Sequence, residues 1–120
     1  MEEKANFENM RVYQQSLKLV SLIYKVTRGF PKEEAYGLTS QIRRAAVSVC
    51  LNIAEGQGRR STLENKQFSQ IAKGSLHEVL AVLEIAHQER YLSNQEKTQI
   101  RAEVFSLIRQ IQNLINYLKT

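Results

Sequence analysis

Residues 93–118 read SNQEKTQIRAEVFSLIRQIQNLINYL, and this stretch decides the fold. Ile100, Val104, Leu107, Ile111, Leu114 and Leu118 recur at alternating steps of four and three, which lays them along one helical seam. Phe105, Ile108 and Ile115 widen that seam. Ser93 stands three residues before Glu96, so hydroxyl and carboxylate are spaced to cap the helix start reciprocally. A half-buried strand would alternate with period two instead, and nothing in the stretch does. The spacing predicts a helix over about 94–119 with more apolar surface than one seam requires.

Working towards the N-terminus, Ser61-Thr62-Leu63-Glu64 reads as a second capping box. It opens a helix over about 62–89 with Phe68, Ile71, Ala72, Leu76, Val79, Leu80, Leu83 and Ala86 as its apolar positions. Gly74-Ser75 inside this segment predicts close helix packing, because an interior glycine otherwise costs about 1 kcal/mol. A helix over about 38–55 precedes it, with Gly56 as the expected C-terminal cap. The first segment covers about 9–28. Met10, Tyr13, Leu17, Val20, Tyr24 and Thr27 form one seam, and Val12, Leu19, Ile23 and Val26 form a second beside it. Phe30-Pro31 ends it, since the residue before proline avoids helical angles. Four amphipathic helices with short connections predict an all-α, antiparallel up-down-up-down four-helix bundle as a single domain over 1–120. The surplus apolar width of the first and last helices predicts contacts between subunits.

Composition is consistent with such a core: 42% of residues are hydrophobic, and only one is proline. The balance is basic, with 17 Lys+Arg against 12 acidic residues and a net charge of +5. The excess is concentrated in residues 1–60, which carry ten basic and six acidic side chains. That asymmetry points to an acidic partner such as nucleic acid, although many soluble proteins carry as much charge without one. Cys50 is the only cysteine and sits among apolar neighbours, so a reducing compartment and a buried thiol are expected. No apolar run approaches the roughly 20 residues of a membrane span, and the acidic N-terminus has no signal core, so a cytoplasmic protein without membrane contact is expected.

Catalytic and metal-binding sets are missing from the sequence. His77 and His87 lie ten residues apart on one predicted helix, nearly three turns, which is poor for sharing a metal ion. There is no CxxC, no Glu-x-x-His and no phosphate-binding lysine after Gly56-Gln57-Gly58. Nor does an arginine precede either histidine at the short interval used by one helical nuclease family. A non-enzyme without a cofactor is expected.

The helix over 38–55 carries the most unusual pattern. Gln41, Arg44, Ser48, Asn52 and Glu55 fall within about 80° on the helical wheel, set off from the apolar face of Leu38, Ile42, Ala45, Val49 and Ile53. Amide, hydroxyl, cation and anion in one stripe suit a partly buried hydrogen-bond network. Either it fixes helix register or it presents Arg44 and Asn52 to a ligand. Arg43, Arg59 and Arg60 are the candidates for exposed contacts. Arg59 and Arg60 precede a helix start whose free N–H groups favour anions, and they equally complement the negative end of the helix before them.

The runs Phe30-Pro31-x-x-Glu34-x-Tyr36-Gly37-Leu38-Thr39-x-Gln41-x-Arg43-Arg44-Ala45, Ser48, Asn52-Ile53-Ala54-Glu55-Gly56, Gly58-Arg59 and Ile71-Ala72-x-Gly74-Ser75-Leu76-x-Glu78 resemble a known signature. It is that of the four-helix-bundle proteins encoded in intervening sequences of bacterial 23S ribosomal RNA. The resemblance implies a homopentamer without enzymatic activity. It extends distantly to the accessory variability proteins of diversity-generating retroelements, which are basic and associate with nucleic acid and a reverse transcriptase. Cys50 and Leu51 depart from the pattern, where smaller residues or proline are frequent. The expected function is a homo-oligomer binding RNA or DNA through Arg43, Arg59, Arg60 and nearby lysines. Tryptophan is absent and most Tyr and Phe fall in apolar seams, so backbone-led electrostatics are expected rather than base stacking. The alternative is a scaffold or accessory subunit that docks an acidic partner protein such as a polymerase or reverse transcriptase.

Overall fold

The structure is a computed structural model that describes residues 2–118. Four helices carry the chain: α1 (Arg11–Thr27), α2 (Leu38–Gln57), α3 (Thr62–Gln88) and α4 (Asn94–Tyr117). Short 3-10 turns occupy Asn6–Asn9 and Lys32–Glu34, and no strand occurs among the described residues. Asn9 therefore belongs to the turn before α1, and position 119, expected in the last helix, lies outside the described residues.

Each helix packs on its two neighbours in the cyclic order α1, α2, α3, α4, and the α2–α3 contact is the most extensive. Side-chain contacts fix the directions. Lys73, near the start of α3, meets Gln112, near the end of α4, while Glu84, near the end of α3, meets Lys97 and Arg101 at the start of α4. Ser48 meets Ser75 while Gly56, further along α2, meets Asn65 and Phe68, earlier in α3. Arg43 reaches Thr27 while Cys50 reaches Ser16. In all three pairs of consecutive helices the register runs in opposite directions.

The core is the set of seams read from the sequence. Leu19 and Ile23 of α1, Ile42 and Val49 of α2, Leu76 and Leu83 of α3, and Ile100, Leu107 and Ile111 of α4 are fully or almost fully buried. Each such side chain contributes about 1.5–3 kcal/mol by leaving water. Met10, Tyr13, Val20 and Ile108 pack partly against this core, so the chain itself absorbs much of the surplus width of α1 and α4. What remains exposed is shared by all four helices: Leu17 and Tyr24 on α1, Leu51 on α2, Leu63, Ile71 and Ile85 on α3, Phe105 and Tyr117 on α4.

The helix ends divide between those that follow the sequence signals and those that do not. Ser93 and Glu96 form the full capping box, with Ser93 Oγ accepting from Glu96 N at 3.0 Å and Glu96 Oε1 accepting from Ser93 N at 2.8 Å. Ser61 Oγ accepts from Glu64 N at 3.0 Å, but the Glu64 carboxylate does not return to Ser61 N, so the expected box is half formed. Gly56 is not the cap of α2. It lies inside the helix and is buried, and a Cβ there would come within 3.0 Å of Asn65 Oδ1 and 3.1 Å of Phe68 Cβ. Glycine is needed for the approach of α3, and Gly58 takes the cap. Gly74 has the opposite fate: it is exposed, and a Cβ there meets nothing within 4 Å, so the close packing expected of Gly74-Ser75 falls to Ser75, which meets Ser48.

The two connections at the far end are tied together. Glu34 Oε1 accepts from Leu38 N, and Glu34 Oε2 accepts from Tyr91 Oη, each at 3.1 Å. Gly37 makes room for this carboxylate, since a Cβ there would lie 2.6 Å from Glu34 Oε1. The α3 end closes with Tyr91 N bonded to Ala86 O, and with Arg90 at a left-handed φ of 65° where helices usually place glycine.

Two substitutions test these assignments in denaturant melts. Gly56→Ala is expected to lower stability by up to about 2 kcal/mol, overpacking against Asn65 and Phe68 outweighing the roughly 1 kcal/mol that alanine gains inside a helix. Arg90→Gly is expected to raise it by about 1 kcal/mol by relieving the left-handed backbone.

Candidate nucleic-acid interface

α2 is buried on two sides because its inner face is small and apolar. Ala45 and Ala46 are buried with Ile42, Val49 and Ile53, so both α1 and α3 approach closely. The polar stripe then falls beside α3. Ser48 Oγ lies 2.9 Å from Ser75 Oγ, and Asn52 Nδ2 donates to Ser48 O at 2.8 Å and to Ser48 Oγ at 3.0 Å. Glu55 sits one turn further on and receives Arg59 at 2.6 Å. Gln41 and Arg44, at the other end of the stripe, are exposed and border a shallow hollow of about 360 Å³ with Glu78. One end of the stripe thus joins two helices, and the other faces solvent.

The three candidate arginines do not converge. Arg43 and Arg59 are 16 residues apart, about 24 Å along a helix. Arg43 is half-buried: its Nε donates to Thr27 Oγ1 at 2.9 Å, and its guanidinium stacks 4.4 Å from the centre of the Tyr24 ring. Arg59 is engaged by Glu55 and by the Phe68 ring, 4.9 Å from its centre. Arg60 is exposed and makes no hydrogen bond or ion pair with the described residues.

An array of cations lies along α1 and its C-terminal cap residue, where the sequence reading did not place one. Arg11, Lys18, Lys25 and Arg28 are all exposed and fall within about 100° of the helical wheel, over about 25 Å of axis. No acidic side chain occurs anywhere in Arg11–Thr27. Gln14 and Ser21 occupy the intervening positions of the same face and are exposed too. Ion pairs among the described residues use only Arg59, Lys97 and Arg101, so all four α1 cations stand without a carboxylate partner. The contrast with the α3–α4 side is sharp. There Glu84 takes both Lys97 and Arg101, and the Lys97 hydrogen bond holds its carboxyl below the usual carboxylate range. The signal was available in the sequence as four cations at steps of seven, seven and three in a segment without acids.

Beside this stripe, between α1 and α2, runs an open groove of about 580 Å³ lined by Tyr24, Tyr36, Arg43, Arg44, Val47 and Leu51 among others. Tyr36 is 100% exposed and Leu51 63%. Four of the nine Tyr and Phe rings, Tyr24, Tyr36, Phe105 and Tyr117, reach solvent, so the scarcity of stacking surface expected from the apolar seams is not complete.

Among the described residues no three His, Cys, Asp or Glu side chains gather as metal ligands. Cys50 is buried with its Sγ donating to Ser16 Oγ at 3.2 Å, and burial pushes the thiol above its ordinary range. No helix among the described residues is long and apolar enough to cross a membrane.

Comparison with known proteins agrees with this architecture. The model of the 23S rRNA-intervening sequence protein family matches residues 8–113. A crystal structure of a protein of unknown function from the S23 ribosomal protein family of Bacteroides thetaiotaomicron is similar in fold. Its TM-score is 0.81 at 19% sequence identity, over 87% of this chain and 97% of that one. No curated protein matches. The chain belongs to the 23S rRNA-intervening sequence protein family.

The polar stripe yields a separable prediction. Ser75→Ala is expected to cost about 1 kcal/mol in a denaturant melt by removing the Ser48 contact. Arg44→Ala, at the solvent end, is expected to leave stability within about 0.5 kcal/mol of the unaltered chain.

Proposed function

We propose that this member of the family is a non-enzymatic homo-oligomer that binds RNA or DNA, led by contacts to the phosphate backbone. The observation that carries the reading is the unpaired cationic face of α1, Arg11, Lys18, Lys25 and Arg28, on a helix with no acidic residue. A line of cations along a helix is the electrostatic footprint of a nucleic-acid binder. Each phosphate neutralised releases condensed counterions, so affinity is gained mainly at low salt. Arg60 and the turn at the start of α3 add charge at a separate place in the chain.

Oligomerisation strengthens the reading. Apolar side chains exposed on every helix, among them Leu17, Ile71 (51% exposed) and Phe105, supply surface for contacts between copies. In a symmetric assembly one modest stripe per subunit is repeated, and simultaneous contacts raise avidity without any new chemistry. The family resemblance makes a pentamer the expected count.

A filter-binding titration over a range of salt concentrations tests the proposal. The unaltered protein is expected to retain nucleic acid with an affinity that falls steeply as salt rises. Lys18→Glu with Lys25→Glu is expected to weaken binding at least tenfold and to reduce the duplex log–log salt slope by about 2, at about 0.9 per phosphate contact. Glu55→Gln frees Arg59 from its ion pair and is expected to strengthen binding if that arginine reaches phosphate. Negligible retention at low salt, or retention indifferent to salt, contradicts the proposal.

A further inference from the structure

Tyr36 is an aromatic ring with no packing role in the chain: it is 100% exposed, yet its backbone is held firmly on both sides. Ala35 N bonds to Lys32 O at 3.0 Å and Gly37 N to Glu34 O at 2.9 Å. The Glu34 carboxylate lies over Gly37 and receives Leu38 N and Tyr91 Oη. The ring is therefore mounted on a rigid turn, so little backbone freedom is lost when something stacks on it.

A second planar and fixed group lines the same groove. Thr27 Oγ1 orients the Arg43 guanidinium, which lies over the Tyr24 ring at 4.4 Å. Such a guanidinium–aromatic stack offers a flat face to a further planar group. Arg44 lines the same groove, is exposed, and makes no hydrogen bond or ion pair with the described residues. Arg43 and Arg44 are the only charged side chains lining the groove, so its charge is wholly cationic. Its volume of about 580 Å³ suits a ligand of nucleotide size.

Position completes the argument. On the α1 wheel Tyr24 and Leu17 lie next to Arg28, at the edge of the Arg11–Arg28 stripe. A cationic track beside aromatic platforms is the arrangement that holds single strands, with phosphates along the track and bases stacked beside it. A duplex can touch the track, but its bases stay stacked inside and do not enter the groove.

We propose that this groove takes an unstacked base of single-stranded nucleic acid, with Tyr36 and the Arg43–Tyr24 pair as stacking faces and Arg44 on the flanking phosphate. The inference rests on the nucleic-acid reading above and narrows it from nucleic acid in general to single strands. An acidic peptide would satisfy the two arginines but makes no use of two aromatic faces.

The test compares an unstructured single strand with the duplex of the same sequence by fluorescence anisotropy. Tyr36→Ala is expected to weaken single-strand binding about 5- to 100-fold and to leave duplex binding within about twofold. Tyr36→Phe is expected to retain the original affinity, because the ring and not the hydroxyl stacks. Tyr36→Trp creates the sole tryptophan of the chain, and its emission is expected to be quenched by the single strand and not by the duplex. If the unaltered protein binds both forms and Tyr36→Ala lowers both equally or neither, the groove proposal fails while the general reading stands. If the unaltered protein binds neither form, the general reading fails with it. A lowered particle mass for Tyr36→Ala in light scattering would assign the groove to contact between copies and overturn the proposal.

Discussion

The approach of α3 to α2 at Gly56 is the constraint on which the rest of the structure depends. With Asn65 Oδ1 and Phe68 Cβ near 3 Å from where a Cβ would stand, a side chain there would require Asn65 and Phe68 to shift by a few tenths of an ångström. That contact seats Ser48 against Ser75 and brings Phe68 beneath Arg59. Ala45 and Ala46 let α2 press on α1 as well. At the other end of α2 the preceding turn leaves Tyr36 exposed, and Arg43 lies over Tyr24 of α1. Core geometry and surface chemistry are coupled through one helix.

Charge is divided across this frame rather than spread over it. The α3–α4 side joins Glu84 to Lys97 and Arg101, an exposed network whose contribution to stability is small in water. The depressed carboxyl of Glu84 adds its stabilisation above the ordinary carboxylate range, and that support is lost as pH falls through its folded value. α1 has no acid to form such pairs. Its cations remain available to an external anion, which is why the functional reading centres on α1 and on the groove at its edge.

The periodic seams made the helices legible, because burial of 3.6-period apolar positions dominates every other local preference. Ile100, Leu107 and Ile111 are buried as their spacing requires. Glycine was less legible, since one residue type serves capping, close approach and neither. Gly56 serves approach and Gly74 nothing within this chain, while the left-handed cap of α3 falls to Arg90, which carries no glycine signal. The candidate site was legible in part. Arg43, Arg59 and Arg60 are near the surface, but two of them are held by Thr27, Tyr24, Glu55 and Phe68, partners brought together by turns and by helix packing. Tyr36 could not be distinguished from a core aromatic because a turn residue has no period to read. The basic face of α1 was written in the sequence and is found by tracking charge, as well as apolarity, around the wheel.

In the proposed assembly, copies of this chain associate and thereby align their unpaired cations for a nucleic acid. Light scattering coupled to size exclusion, with absorbance read at two wavelengths on protein purified at low salt, addresses it directly. With no tryptophan and five tyrosines the chain absorbs weakly, so bound nucleic acid stands out. The account predicts a particle several times 13.8 kDa whose nucleic-acid absorbance is lost on washing with salt. A 13.8 kDa species free of that absorbance contradicts it.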